Sequence, residues 1–206
     1  MERDVTGSAL ALTVLAMLHC KPLHPYGVQR LIKQWGKDHV VNVGQRAGLY
    51  RTMERLESAG LITARATERD PGYPERTVYE VTDAGREAAA TWLRNMLTTP
   101  KAEFPEFPAA LSNLLLLTRR EMVRALQQRA DALQGALDEL DVRLAAETDR
   151  GLPRITLLET EYTRTMTHAE LQWVRSVFDG LRSGEISWSR RALARIAESI
   201  DASATP

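Results

Sequence analysis

Gln45-Arg46-Ala47-Gly48-Leu49-Tyr50-Arg51-Thr52-Met53-Glu54-Arg55-Leu56-Glu57-Ser58-Ala59-Gly60-Leu61-Ile62 is the stretch on which the reading of this 206-residue chain turns. Leu49, Met53 and Leu56 are spaced by four and three, which places them on one face of a helix over Gln45–Ala59. Arg46, Arg51 and Arg55 fall away from that face. Gly60 suits the left-handed position that ends a helix. Leu61–Arg65 then reads as a short strand. One element thus offers an apolar face to a core and a basic face to something outside.

Upstream, Ser8–Cys20 is apolar nearly all round, as a short helix in a core would be. Lys21-Pro22-Leu23-His24-Pro25 breaks it. Pro25 fits the first position of a second helix, running from Tyr26 to about Trp35 with Val28, Leu31 and Ile32 inward. Gly36 ends that helix, and Asn42-Val43-Gly44 turns into the quoted stretch. Downstream, Asp70-Pro71-Gly72-Tyr73-Pro74 is a dense turn signal. Arg76–Val81 alternates as a half-buried strand, so two strands about this turn make a hairpin. Thr82-Asp83-Ala84-Gly85 opens a fourth helix to about Leu97, with Thr82 or Asp83 as N-cap.

Helix, helix, helix, hairpin, helix is the plan of a winged helix-turn-helix. In that plan the second helix of the pair enters the major groove and the first crosses the DNA backbone. Gln45 and Arg46, in the first turn of the entering helix, have the donors that pair with adenine and guanine edges. Arg51 and Arg55 follow along the solvent side. Tyr26, Gln29, Arg30 and Lys33 are expected on phosphates, beside the free N–H groups that begin the second helix. Arg65, Arg69 and Arg76 of the hairpin suit phosphate or minor-groove contact. The charge distribution agrees. From His19 to Arg55 the bases Lys21, Arg30, Lys33, Lys37, Arg46, Arg51 and Arg55 face only the acids Asp38 and Glu54, although the whole chain has zero formal net charge. The bland alternative for these arginines is a solvated helix face.

The same region resembles the PadR family of bacterial regulators. The residues that carry the resemblance are His24-Pro25-Tyr26-Gly27, Leu49-Tyr50, Met53-Glu54-Arg55-Leu56-Glu57-Ser58-Ala59-Gly60-Leu61-Ile62 and Tyr79-Glu80-Val81-Thr82-Asp83-Ala84-Gly85. It covers about residues 9 to 95. It implies a homodimeric repressor that binds a palindromic operator and is released by a small molecule or another signal. It also implies that Tyr26 and Tyr50 lie at or near the DNA, with packing as the alternative for Tyr50. Gly48 and Arg51 depart from the family, which usually has Ser or Thr before the Leu-Tyr pair and often Pro after it.

Thr99-Pro100 and Phe104-Pro105-Glu106-Phe107-Pro108 mark a junction. The expected layout is a winged-helix domain over 1–98, a linker over 99–117, a helical dimerisation domain over 118–188, and a weak helix with a disordered tail over 189–206. Leu126, Ala130, Leu133, Leu137, Leu140 and Leu144 keep the four-three spacing of a coiled-coil seam in a helix from Thr118 to Thr148. Gly151-Leu152-Pro153 separates it from a helix over about Arg154–Arg182, striped by Ile155, Leu158, Tyr162, Met166, Ala169, Trp173 and Val177. Leu126, Leu133, Leu137, Leu140, Leu144, Trp173 and Val177 are expected between two chains, with packing inside one chain as the alternative. Tyr162, Met166, His168 and Trp173 could line an effector pocket or the core of a dimer.

Little points to catalysis, a metal or a cofactor. There is no phosphate-cradling glycine loop, nucleophile elbow or two-His helix motif. Glu159 and Glu161 near His168 are too few for a metal site. Cys20, the single cysteine, is expected to pack in the first helix. Ala9–Leu18 is too short to span a bilayer and lacks the basic flank of a signal peptide, so the expectation is a cytoplasmic protein with no membrane partner. The competing reading is a winged-helix protein-interaction module that does not bind DNA.

Overall fold

The computed structural model describes residues 7–44, 46–68 and 76–188. The chain divides into two compact units, Met1–Glu103 and Phe104–Pro206. The first contains α1 (Ala9–Cys20), α2 (Pro25–Gln34), α3 (Arg46–Ser58), an antiparallel hairpin of β1 (Ile62–Glu68) and β2 (Arg76–Val81), and α4 (Asp83–Thr98). The winged-helix order is therefore present.

Local chemistry sets the boundaries of these elements. The Ser8 side chain accepts from the Ala11 N–H and starts α1. His24 Nδ1 accepts from the Gly27 N–H at 3.0 Å and caps α2, with Pro25 as its first residue. Gly36 and Gly60 take left-handed conformations where α2 and α3 end. Thr82 caps α4 by accepting from the Gly85 N–H at 3.0 Å, and its hydroxyl donates to the Gly60 carbonyl at 2.7 Å. One side chain thus ties the end of α3 to the start of α4. Gly85 completes the lock, because a β-carbon there would lie 2.0 Å from the Leu61 carbonyl oxygen.

Val14, Leu15 and Leu18 of α1, Val28 and Ile32 of α2, Leu49, Met53 and Leu56 of α3, and Ile62 and Val81 of the hairpin form one buried cluster. Each such side chain contributes roughly 1.5–3 kcal/mol on leaving water, so α3 is anchored firmly by its three. Cys20 does not join this cluster; it is exposed at the end of α1. Two residues beyond Leu18 is about 200° around a helix, which turns Cys20 away from the buried stripe.

The hairpin differs from its expected form in two ways. β1 runs to Glu68, three residues beyond Arg65, because it pairs with β2 as far as Arg76. The buried residues of β2 are Val78 and Val81, three apart, so strict alternation fails. Ala64 pairs with Tyr79 and Ala66 with Val78, which leaves Arg65 as an extra residue in a bulge. A bulge increases local twist and re-aims side chains. The outer edge of β2 is also held, since Leu23 and Tyr79 exchange two backbone hydrogen bonds of 3.0 Å.

The second unit contains α5 (Glu106–Leu111), α6 (Arg119–Asp149) and α7 (Leu158–Ser183). Residues 106–111, expected within a linker, form a helix, and Phe107 packs on the core of this unit. α6 begins with a capping box between Thr118 and Glu121. α6 and α7 pack antiparallel: Arg119 at the start of α6 donates to the Leu181 carbonyl near the end of α7, and Arg164 pairs with Asp141.

The coiled-coil seam is filled within the chain. Leu126, Ala130 and Leu137 are buried against Leu171, Val174 and Leu181 of α7, with Leu133 and Val177 packed beside them. This corrects the expectation that Leu126 and Leu137 lie between two chains; α7 already covers them. Leu140 and Leu144 are half-buried. Leu158, Tyr162, Met166 and Trp173 of the expected stripe share a face of α7 turned away from α6, whereas Val177 packs on the common core and Ile155 precedes the helix in a short 3-10 turn. Ile155, Leu158, Tyr162, Met166 and Trp173 are all exposed. α7 is therefore apolar on two sides, and the hairpin uses the side with Leu171, Val174 and Leu181. The suggested weak helix at residues 189–200 lies outside the described residues, as do Gln45 and Arg69.

Candidate nucleic-acid interface

The outer face of α3 follows from its buried one. With Leu49, Thr52, Met53 and Leu56 inside, Ala47, Tyr50, Arg51, Glu54 and Arg55 are left exposed. Arg51 Nε donates to the Ala47 carbonyl at 3.2 Å, and Arg55 donates to the Thr52 hydroxyl at 3.4 Å. Both guanidinium groups are therefore guided along the helix while staying in solvent. Arg46 opens the helix; only its backbone is described.

α2 lies beside α3 and exposes Tyr26, Arg30 and Lys33. The His24 and Tyr26 rings lie parallel, with centroids 6.1 Å apart. His24, Tyr26, Tyr50, Glu54, Arg76 and Tyr79 border a cavity of about 270 Å³ between α2, α3 and β2. Tyr50 is 45% exposed at its rim, so its ring is available outward as well as toward the cavity. Burial raises the Tyr79 phenol above its ordinary pKa, and the nearby Glu57 and Glu54 carboxylates raise it further. Glu57 also accepts its hydrogen bond, so Tyr79 is a neutral donor held inside the interface wall.

Gln29 is not part of the surface. It is buried, and its Nε2 donates to the Val43 carbonyl at 2.8 Å. The amide ties α2 to the turn that leads into α3. The expectation of a phosphate contact at Gln29 is thus corrected: it shares a helix face with the exposed Lys33, but the chain around Val43 passes over it and takes its amide proton. Arg65, the bulge residue, is exposed and pairs with Glu80 at 3.4 Å. Arg76 is half-buried beside the cavity. The surface thus brings together Tyr26, Arg30, Lys33, Tyr50, Arg51 and Arg55 on two adjacent helices, with Arg65 and Arg76 on the hairpin.

Glu54 was not singled out in the sequence as a site residue. Glu54 sits among the tyrosines, where an acceptor-only group can take a proton donor such as the cytosine amine. Its signal was available, since it is the acid among the outward-facing arginines. Among the described residues no cluster of three or more His, Cys, Asp or Glu could hold a metal ion. No helix among them is long and apolar enough to cross a membrane.

Residues 14–91 match the model of the transcriptional regulator PadR-like family. No curated protein sequence matches. Among solved structures, Bacillus subtilis PadR in complex with operator DNA superposes with a TM-score of 0.71 at 18% identity, covering 84% of this chain and 99% of that one. Bacillus subtilis PadR in complex with p-coumaric acid gives 0.67 at 17%, covering 85% and 99%. The Vibrio cholerae virulence activator AphA gives 0.63 at 19%, again covering 85% and 99%. At these identities the likeness establishes a shared fold.

Proposed function

We propose that this chain, whose residues 14–91 match the PadR-like family model, is a transcriptional regulator of that family and binds operator DNA as a homodimer, with α3 in the major groove. The observation that carries the reading is the two-sidedness of α3. Its apolar face is locked in the core, while Tyr50, Arg51 and Arg55 project together from the other. Gln45 and Arg46 supply base contacts at the start of the helix. Tyr26, Arg30 and Lys33 grip phosphates, and Arg65, Arg69 and Arg76 of the wing add a second backbone contact.

One winged unit grips too few phosphates to regulate alone, so the proposal includes a second copy and a palindromic site with half-sites one or two turns apart, roughly 34 Å per turn. The exposed stripe of Ile155, Leu158, Tyr162, Met166 and Trp173 supplies the apolar surface for that second copy. The seam leucines support it from behind by holding α7 straight. The protein acts as a repressor in this reading, and a small molecule or another signal releases it. Tyr162, Met166 and Trp173 lie on that open face in one chain, whereas His168, two residues past Met166, is turned about 200° round α7 toward Asp141 of α6. A second copy would roof Tyr162, Met166 and Trp173, which is where a released effector site belongs.

Selection of genomic DNA fragments with the purified protein, followed by gel shifts in rising salt, tests the proposal. A defined palindrome should emerge, and log affinity should fall linearly with log salt. Replacing Arg51 and Arg55 together by alanine should lower the magnitude of that slope by about two. A flat salt response, or a double variant that binds like the parent, overturns the assignment of α3.

A further inference from the structure

Gly48 is the third residue of α3, and nothing among the described residues of its unit requires a glycine there. Its backbone is ordinary helix, unlike Gly36 and Gly60, which have positive φ. Among the described residues, a β-carbon added at Gly48 meets no neighbour within 4 Å, whereas one at Gly85 strikes the Leu61 carbonyl. Glycine weakens a helix relative to alanine. α3 therefore carries a destabilising residue for which neither conformation nor packing gives a reason.

The surroundings supply one. Gly48, Arg51 and Arg55 are spaced by three and four and form one stripe, with both arginines exposed. The Thr52 hydroxyl donates to the Gly48 carbonyl at 2.8 Å, and Thr52 itself is buried. The backbone at Gly48 is thus pinned to the core side while its α-carbon stands bare on the basic stripe. A glycine so placed serves the close approach of another molecule to the main chain.

We propose that position 48 is a specificity determinant: the absent side chain lets the major-groove edge of a base pair come into van der Waals contact with the α3 backbone. This rests on the DNA reading above. A base edge is favoured over a phosphate strand because Gly48 lies in the first turn of α3, the end of a recognition helix that meets base edges, and a bare α-carbon offers a phosphate no charge.

The test compares the parent with Gly48→Ala and Gly48→Ser on the operator selected by the parent and on an unrelated duplex of equal length. Gly48→Ala should raise the melting temperature by about 2–4 °C, since the helix gains and nothing clashes. Its affinity for the operator should fall about tenfold or more, as a mismatched base pair would cause. Affinity for the unrelated duplex and the salt slope should stay the same, because no charge changes. Repeating the selection with Gly48→Ser should return a motif altered at one position in each half-site. Stability and specific affinity thus move in opposite directions. An alanine variant that binds the operator like the parent overturns the proposal alone. Equal losses on both duplexes assign the contact to the sugar-phosphate strand and overturn the base-edge assignment. If the parent selects no sequence, the DNA reading fails and this proposal fails with it.

Discussion

Replacing Gln29 by methionine separates two accounts of the same residue. Methionine matches glutamine in length, so it fills the same buried space and leaves no cavity. What it removes is the donor to the Val43 carbonyl, a 2.8 Å bond inside the unit. Val43 is 1% exposed, so water cannot readily replace the lost partner. An unsatisfied buried polar group costs about 1–3 kcal/mol. For a domain of 60–100 residues each kcal/mol moves the melting temperature by about 4–8 °C. Urea unfolding of Gln29→Met should therefore show a lower midpoint with an unchanged slope. Lys33→Met is the control on the same helix; Lys33 is exposed, and its replacement should change stability by no more than about 0.5 kcal/mol. The DNA response should be reversed, with Lys33→Met reducing the salt slope and Gln29→Met leaving it alone. If Gln29→Met is as stable as Lys33→Met and loses DNA affinity, the amide faces phosphate after all and the burial argument is refuted.

Three further outcomes follow from the same geometry. Gly85→Ala places a β-carbon 2.0 Å from the Leu61 carbonyl oxygen; the resulting overpacking should lower stability by at least about 1–3 kcal/mol in urea unfolding. Thr82→Ala removes the cap of α4 together with the bond to the Gly60 carbonyl; about 1–2 kcal/mol should be lost, and Thr82→Ser should recover most of it. The raised pKa of Tyr79 means that the folded chain holds this proton longer than the unfolded one. Stability is thus fully present below the ordinary tyrosine range and declines as pH rises through about 10. Urea midpoints measured across that window should fall less steeply for Tyr79→Phe.

Pattern reading reached far in the first unit because its signals are local. The spacing of Leu49, Met53 and Leu56 places three buried side chains whatever surrounds them. Pro25, Gly36, Gly60 and Thr82 mark element ends through their own backbone preferences and caps. The site was legible to the same extent. Tyr26, Arg30, Lys33, Tyr50, Arg51 and Arg55 are exposed because periodicity leaves them no other face. Gln29 escaped this logic. A glutamine reads as surface, and only the passage of the Val43 carbonyl beside α2 gives its amide a buried acceptor. The bulge at Arg65 escaped it too, because a strand's register depends on its partner.

The second unit shows most clearly where local information stops. The sequence by itself determined that two long amphipathic helices would form, about where each would stop, and that both would have apolar faces, although α7 begins at Leu158 rather than Arg154. It could not assign those faces. Leucines spaced by four and three bury equally well against a neighbour in the same chain or in another, since hydrophobic attraction has no direction. The tertiary structure decided between them, because the return of α7 beside α6 covers Leu126 and Leu137 and leaves Tyr162, Met166 and Trp173 uncovered. In the first unit the same division holds on a smaller scale. Sequence alone made α3 a helix with one basic side, but only packing showed that Gly48 fits against nothing among the described residues.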